Sequence, residues 1–469
     1  MEARGGIPVR SVRSARRGAP FLDVWSRAWR ELSTLACAGA LALLSPGCGA
    51  HTAGGESHHA DPQTSPTPAA GLEGVSRLPT AQERGIIRGL MNDAAAVRNL
   101  PFLQEVPAEI QDEARIRAFV QADIDADELR EARDLYTSLG LLPDDVDLEA
   151  LLLEVLGEQI VGYYDPEGHR LVVRDDVMRS LAASSVDEAR VVLVHELVHA
   201  LQDQHLQLGV LNEVERDSDA DNAYHALVEG DATLAMMAYV LAAQGTRIAD
   251  VTARPDVLRS FFESTPGTGG AALDSAPAIL RVTLMAPYTA GAVFCGEQHR
   301  RGGWRMVDGA HRTLPVSTEQ VLHPDKYELG ELPDPIVLPR ARDLESLGFV
   351  RTQEDTLGEL ELSIYLAQGT SSDRDLTAAA GWSGDRLAIY ARADAPSAVV
   401  WWTTWDTITD AREAEAAALR AGLEAEGSRV VREGRAVLIL RQVPTDASAQ
   451  LAQDFLVFAR ALPAAPPRR

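Results

Sequence analysis

The chain has 469 residues, 46% of them hydrophobic and 24% charged, an ordinary globular composition with room for two or three domains. Its 69 acidic residues outnumber 44 basic ones, and the formal net charge of −25 argues against a nucleic-acid partner. Lys326 is the only lysine, which reflects compositional bias toward arginine and carries no functional reading.

Residues 1–47 read as a targeting segment. Arg4, Arg10, Arg13, Arg16, Arg17, Arg27 and Arg30 form a basic lead, and Leu32 to Leu44 is an apolar run too short for a comfortable membrane span. Leu44-Ser45-Pro46-Gly47-Cys48 is similar to a bacterial lipobox, although Ser45 stands where a branched apolar residue is usual. The expectation is cleavage before Cys48, lipidation of that cysteine and export to the cell envelope or beyond. Residues 48–78, rich in Gly, Ala, Pro, Ser and Thr, read as a disordered tether in which His51, His58 and His59 are solvated. With Cys37 in the leader and Cys48 lipidated, Cys295 stands alone, so no intramolecular disulfide is available.

Residues 79–156 carry helical patterns over Ala81–Val97, Pro107–Ala122, Ala126–Leu139 and Leu148–Leu156, and read as a small helical subdomain. Asp123, Asp125, Asp127 and Glu128 lack the glycine and final Glu of a calcium loop and read as a solvated face. The next domain, 157–345, opens with two expected strands, Ile160–Tyr164 and His169–Arg174, joined by the turn Asp165-Pro166-Glu167-Gly168. Such a hairpin serves either as a substrate-binding sheet edge or as structure alone.

The stretch VVLVHELVHALQDQHL, Val191 to Leu206, contains H-E-x-x-H within an amphipathic helical pattern that Ser185 and Glu188 open as a capping box. On a helix His195 and His199 lie about 40° apart on one face, and Glu196 about 60° to the side of His199. Two neutral imidazoles and one more protein ligand leave a fourth position on zinc for water, and the adjacent Glu196 serves as its general base. Three residues compete for the third ligand. His205 has the metzincin spacing, but Gln202 replaces the glycine that would turn the chain there. Glu229 lies in a second helical pattern, Asn222 to Val240, whose Ala223, Ala226, Gly230 and Ala232 permit close packing around a carboxylate that needs a partner. His225 sits one turn before it.

Asp256–Glu263 and Pro277–Gln298 read as helices separated by a glycine-rich rim, which no Gly-Lys-Ser/Thr follows, so it is not a phosphate loop. Cys295 lies among apolar neighbours and reads as buried. Ser317 and Gln320 cap a short helix bounded by Pro315 and Pro324. A donor to the developing oxyanion is needed across the zinc, and His323 and Tyr288 are the candidates. Residues 346–469 read as an α+β accessory domain, with strands at Gly358–Leu366, Arg386–Ala391, Val399–Thr403, Ser428–Glu433 and Ala436–Gln442 and helices at Thr409–Ala425 and Ala447–Ala461. Trp401, Trp402 and Trp405 read as core.

HELVHALQDQH together with ALVEGDA resembles the gluzincin branch of the zinc metallopeptidases. GYYDPEGHRLVV (Gly162 to Val173) and PVSTEQVLHPDKY (Pro315 to Tyr327) are similar to poorly characterised bacterial secreted or lipoprotein members. The resemblance implies zinc on His195, His199 and Glu229, Glu196 as general base, and a zincin-like domain with a mainly helical α+β fold. The N-E-x-x-S-D pattern of thermolysin-like members is absent, which leaves the residues behind the ligands open. The expected activity is zinc-dependent hydrolysis of peptide bonds in a peptide or protein substrate at the bacterial cell envelope. The rival readings are a catalytically silent, zinc-stabilised envelope scaffold or protein-binding lipoprotein, and a metallohydrolase acting on another bond. The sequence leaves the oligomeric state open.

Overall fold

The computed structural model describes residues 74–469 except 158–160, 184–186, 213, 264–269, 369–376, 423–426 and 464–469. The expected leader, Cys48, the tether histidines and Ser185 lie outside the described residues. The architecture is α+β, with two sheets embedded among long helices.

In the first half, β1 (Ser76–Arg77), β2 (Ala108–Gln111), β3 (Gly162–Asp165) and β4 (Arg170–Arg174) form one sheet in the order β1-β2-β4-β3. The expected hairpin is β3 and β4, antiparallel, with Tyr164 opposite Leu171. The expected helix from Pro107 to Ala122 is instead β2, parallel to β4, followed by a helix over Glu113–Asp123. Asp112 accepts a hydrogen bond from Arg115 N at 2.8 Å, and this cap starts the helix only after the strand. Asp125 likewise caps the helix Ala126–Ser138 through the amides of Asp127 and Glu128, and Glu128 is buried, so this acidic run is not a wholly solvated face. Residues 79–156 thus contribute β2 to the first sheet beside β4, while Leu129, Leu135 and Leu152 join a core shared with the C-terminal sheet.

In the second half, β5 (Val350–Asp355), β6 (Trp382–Arg392), β7 (Ala395–Trp405), β8 (Arg429–Glu433) and β9 (Ala436–Arg441) form an antiparallel sheet in the order β5-β6-β7-β9-β8. Alternation divides its side chains between two cores. Leu387, Ile389, Val399, Trp401 and Ile439 pack with Leu362 and Ala414, while Ala388, Tyr390, Val400, Trp402 and Leu440 pack with Leu451 and Phe455. Trp401, Trp402 and Trp405 are all buried core residues.

Two expectations fail here. β5 lies where no strand is expected, and Gly358–Leu366, expected as a strand, belongs to a helix, Gly358–Ala367, whose ten residues are all buried. Glu359 and Glu361 alternate with Leu360 and Leu362 as they would on a half-exposed strand. Both carboxylates instead find partners inside the protein, His323 and Asn222, so the period-two pattern does not mark a solvent face. The glycine-rich rim also contains a helical turn, Gly270–Ser275.

The helices Ser218–Ala243 and Ala278–Gly302 form the central pair. Each is long and apolar enough to cross a membrane, but 78% and 61% of their most apolar windows are buried inside the fold. They cross at Gly230 and Gly291, where a Cβ on Gly230 would stand 2.1 Å from the Gly291 carbonyl carbon. Gly230→Ala is expected to force these helices apart and to lower the unfolding free energy by about 1–3 kcal/mol, read by urea denaturation.

The first turn of Ser218–Ala243 meets the C-terminal half through buried carboxylates. Ser218 N and Oγ donate to Asp355 at 3.1 and 2.5 Å, and Asn222 Nδ2 donates to Glu361 at 3.0 Å. Asp219 accepts from the Thr318 amide and hydroxyl at 2.7 and 2.6 Å. Asp385 accepts from the Leu357 and Gly358 amides and from the Trp382 and Trp401 indoles. Burial pushes Asp355 up to about 7, Glu361 to about 8 and Asp385 to about 6. The folded state therefore holds protons that the unfolded state releases near pH ~4, so this part of the stability is whole below that pH and is lost as pH rises through about 8. The urea midpoint is expected to be lower at pH 8.5 than at pH 5.5, by the equivalent of about 1–3 kcal/mol per group, and Asp355→Asn is expected to flatten that slope.

Candidate metal centre

The motif helix, Asp187–Leu206, is buried on every side from Val191 to Gln202 and is not the amphipathic helix expected; Val191, Val194, Leu197, Val198 and Leu201 pack in apolar clusters, and His195 and His199 meet on one face. Glu229 reaches the same point from the neighbouring helix, and all three side chains are buried. His195 Nε2 lies 3.0 Å from Glu229 Oε2, His199 Nε2 lies 3.4 Å from the same oxygen, and the two Nε2 atoms are 3.1 Å apart. A tetrahedral ion with ligands at about 2.0–2.1 Å holds them about 3.3–3.4 Å apart, so this triangle has the size of one zinc face. Two nitrogens and one carboxylate oxygen are also a zinc donor set.

The electrostatics describe the same cluster with a proton in it. Burial lowers His195. For His199 burial acts in the same direction, but the Glu229 carboxylate overcomes it and lifts the imidazole to about 9. Glu229, which burial alone would raise, is held down at about 2 by the two imidazoles. A divalent cation bound at this point would take the place of that shared positive charge.

Glu196, next along the helix, is buried, and its Oε2 accepts from the Tyr164 amide of β3 at 3.0 Å. Among the described residues β3 is the outer strand of its sheet, so the general-base candidate is held by the sheet edge. The Tyr164 hydroxyl donates to Asp203 Oδ2 at 2.7 Å, and His169 Nδ1 lies 2.7 Å from that oxygen, which clamps the hairpin onto the motif helix.

The other candidates separate clearly. Tyr288 is buried with its ring centroid 6.1 Å from that of His195. His323 lies between two short helices, with Nε2 2.9 Å from Glu359 Oε1. His205 Nε2 lies 2.7 Å from the Pro101 carbonyl, and His225 Nε2 lies 3.3 Å from Asp221. Cys295 is buried, burial raises its thiol, and Sγ donates to the Leu227 carbonyl. A second carboxylate trio, Glu319, Glu331 and Asp406, surrounds Lys326 Nζ, so its cation is that ammonium.

Sequence reasoning missed the residues behind the ligands. Gln202 Oε1 lies 2.8 Å from His199 Nδ1, and its Nε2 donates to the Val228 carbonyl and to Asp231 at 2.9 and 3.0 Å. Asp231 also accepts from Arg98 at 2.6 and 3.1 Å and lies 3.0 Å from His311 Nε2. Burial alone would raise Asp231, yet Arg98 and His311 hold it well below the usual carboxylate range. Arg98 is fully buried, bonds Asp308 as well, and lies under the Trp304 ring at 4.8 Å. The available signal was Gln202 itself, three residues after His199 and so near it on the helix surface, but it opens the polar run Gln202-Asp203-Gln204-His205 and did not stand out.

Residues 345–457 match a family model described as "Domain of unknown function (DUF8575)". That match covers β5 to β9 and contains none of the metal-ligand candidates. No curated protein and no solved structure matches the chain.

Arg98→Met is expected to leave Asp231 underpaired in the interior and to lower the unfolding free energy by about 3–5 kcal/mol. The double variant Arg98→Met with Asp231→Leu is expected to recover part of that loss in the same urea titration.

Proposed function

We propose that this chain is a zinc-dependent metallohydrolase of the gluzincin type that cleaves peptide bonds at the cell envelope, tethered there through a lipidated Cys48. The observation that carries this reading is the triangle of His195, His199 and Glu229 ligand atoms with edges of 3.0–3.4 Å. When bound, zinc supplies Lewis acidity toward a carbonyl oxygen and acidifies a water. Glu196 accepts the proton of the attacking water and later delivers it to the leaving amine. The Tyr164 amide holds Glu196 Oε2 and so orients the carboxylate for that transfer. Tyr288 is the better placed of the two oxyanion candidates, since its ring neighbours His195 while His323 is engaged by Glu359.

The burial of all four motif side chains favours a second reading, a zinc-stabilised scaffold that binds a protein partner without cleaving it. Metal content and peptide hydrolysis distinguish the two. The unmutated protein is expected to hold one zinc and cleave, Glu196→Ala to keep the zinc with cleavage reduced by at least about 10²-fold, and Glu229→Ala to lose the zinc. Zinc bound by the unmutated protein with no cleavage of a broad peptide library would select the scaffold, and no zinc would remove both readings.

A further inference from the structure

The amide of Gln202 has only one orientation that its surroundings accept. On one side lie the Val228 carbonyl and the Asp231 carboxylate, both acceptors, at 2.9 and 3.0 Å. The NH₂ group must therefore face them, because an amide oxygen there would meet two further oxygens in a buried site. The carbonyl end then faces His199 Nδ1 at 2.8 Å, and an oxygen acceptor at that position requires the ring proton on Nδ1. With Nδ1 protonated, neutral His199 has its lone pair on Nε2, the nitrogen that lies 3.4 Å from Glu229 and 3.1 Å from His195 Nε2.

We propose that Gln202 is a positioning residue that locks His199 into its metal-binding tautomer and ring orientation, with Asp231 fixing the direction of the Gln202 amide. The inference rests on the metal reading above and adds the residue that tunes affinity. Asp231 is held from two further directions, by Arg98 of the helix Ala81–Arg98 and by His311 of the helix Trp304–Arg312, so neither end of the amide is at liberty to flip. A carboxylate is the commoner partner for a ligating imidazole. Here a neutral amide stands between the ring and the carboxylate, so the negative charge of Asp231 is set one hydrogen bond further from the ion.

The test is zinc affinity by chelator competition on the full chain, with the absorption spectrum of the Co²⁺ form as a reporter of coordination. Gln202→Met conserves volume and removes both hydrogen-bonding ends. Gln202→Glu, as the neutral acid, keeps an acceptor toward His199 and a donor toward Asp231. The expected result is a 10–100-fold loss of zinc affinity and an altered Co²⁺ spectrum in Gln202→Met, with affinity within about tenfold of the unmutated protein in Gln202→Glu. Circular dichroism melts of the chelator-treated variants report folding separately from metal binding. Unchanged affinity in Gln202→Met, or equal losses in the two variants, would overturn the assignment while leaving the metal reading intact. Failure of the unmutated protein to bind zinc would overturn both.

Discussion

The buried ion pair between Arg98 and Asp231 is the interaction on which the centre of the molecule depends. A guanidinium with no solvent exposure is tolerated in a protein interior only when its charge is answered at close range. Here Asp231 and Asp308 answer it and the Trp304 ring covers it. Arg98, Asp231 and Asp308 join three helices, and Asp231 lies two residues from Glu229. The same carboxylate anchors His311 and Gln202, so the position of a candidate ligand, the orientation of another ligand's amide partner and the packing of the N-terminal helix are settled by one group.

Much of the site was legible because its chemistry is local. H-E-x-x-H occupies a single helix, so spacing alone brings His195 and His199 together. Glu229 was legible from a carboxylate among small residues, and the Gly230–Gly291 crossing explains why those residues are small. The residues behind the ligands were not legible, because Arg98, Asp231 and His311 meet only after three helices have packed, through contacts that span 133 and 80 residues. The helix Gly358–Ala367 was hidden for a related reason. A Glu-Leu alternation reads as a strand with one wet face, and only the folded protein reveals that both glutamates are buried against partners from the other half.

The two halves meet around the first turn of the helix that carries Glu229. Ser218 and Asn222 engage Asp355 and Glu361, Asp219 engages Thr318, and Lys326 bridges Glu319 to Asp406. The stretch Pro315 to Tyr327, quoted for its resemblance to envelope proteins, is in structural terms the bracket that seats the C-terminal sheet against that helix. Its His323 contributes to the bracket through Glu359.

The Arg441 guanidinium donates to the Ser138 carbonyl, a contact that joins residues 303 positions apart, and Gln353 reaches the Glu131 carbonyl across 222. The final strand of the second sheet therefore rests on a helix made in the first third of the chain. A fold closed by contacts of such length is a slow one, since the entropy of bringing distant segments together is spent before those contacts form. Until β9 has been made, Leu129, Leu135 and Leu152 lack part of the core they share with Val437 and Ile439, and exposed apolar surface of that kind favours aggregation of a partly folded chain. Completion of that early core is thereby tied to the arrival of β9.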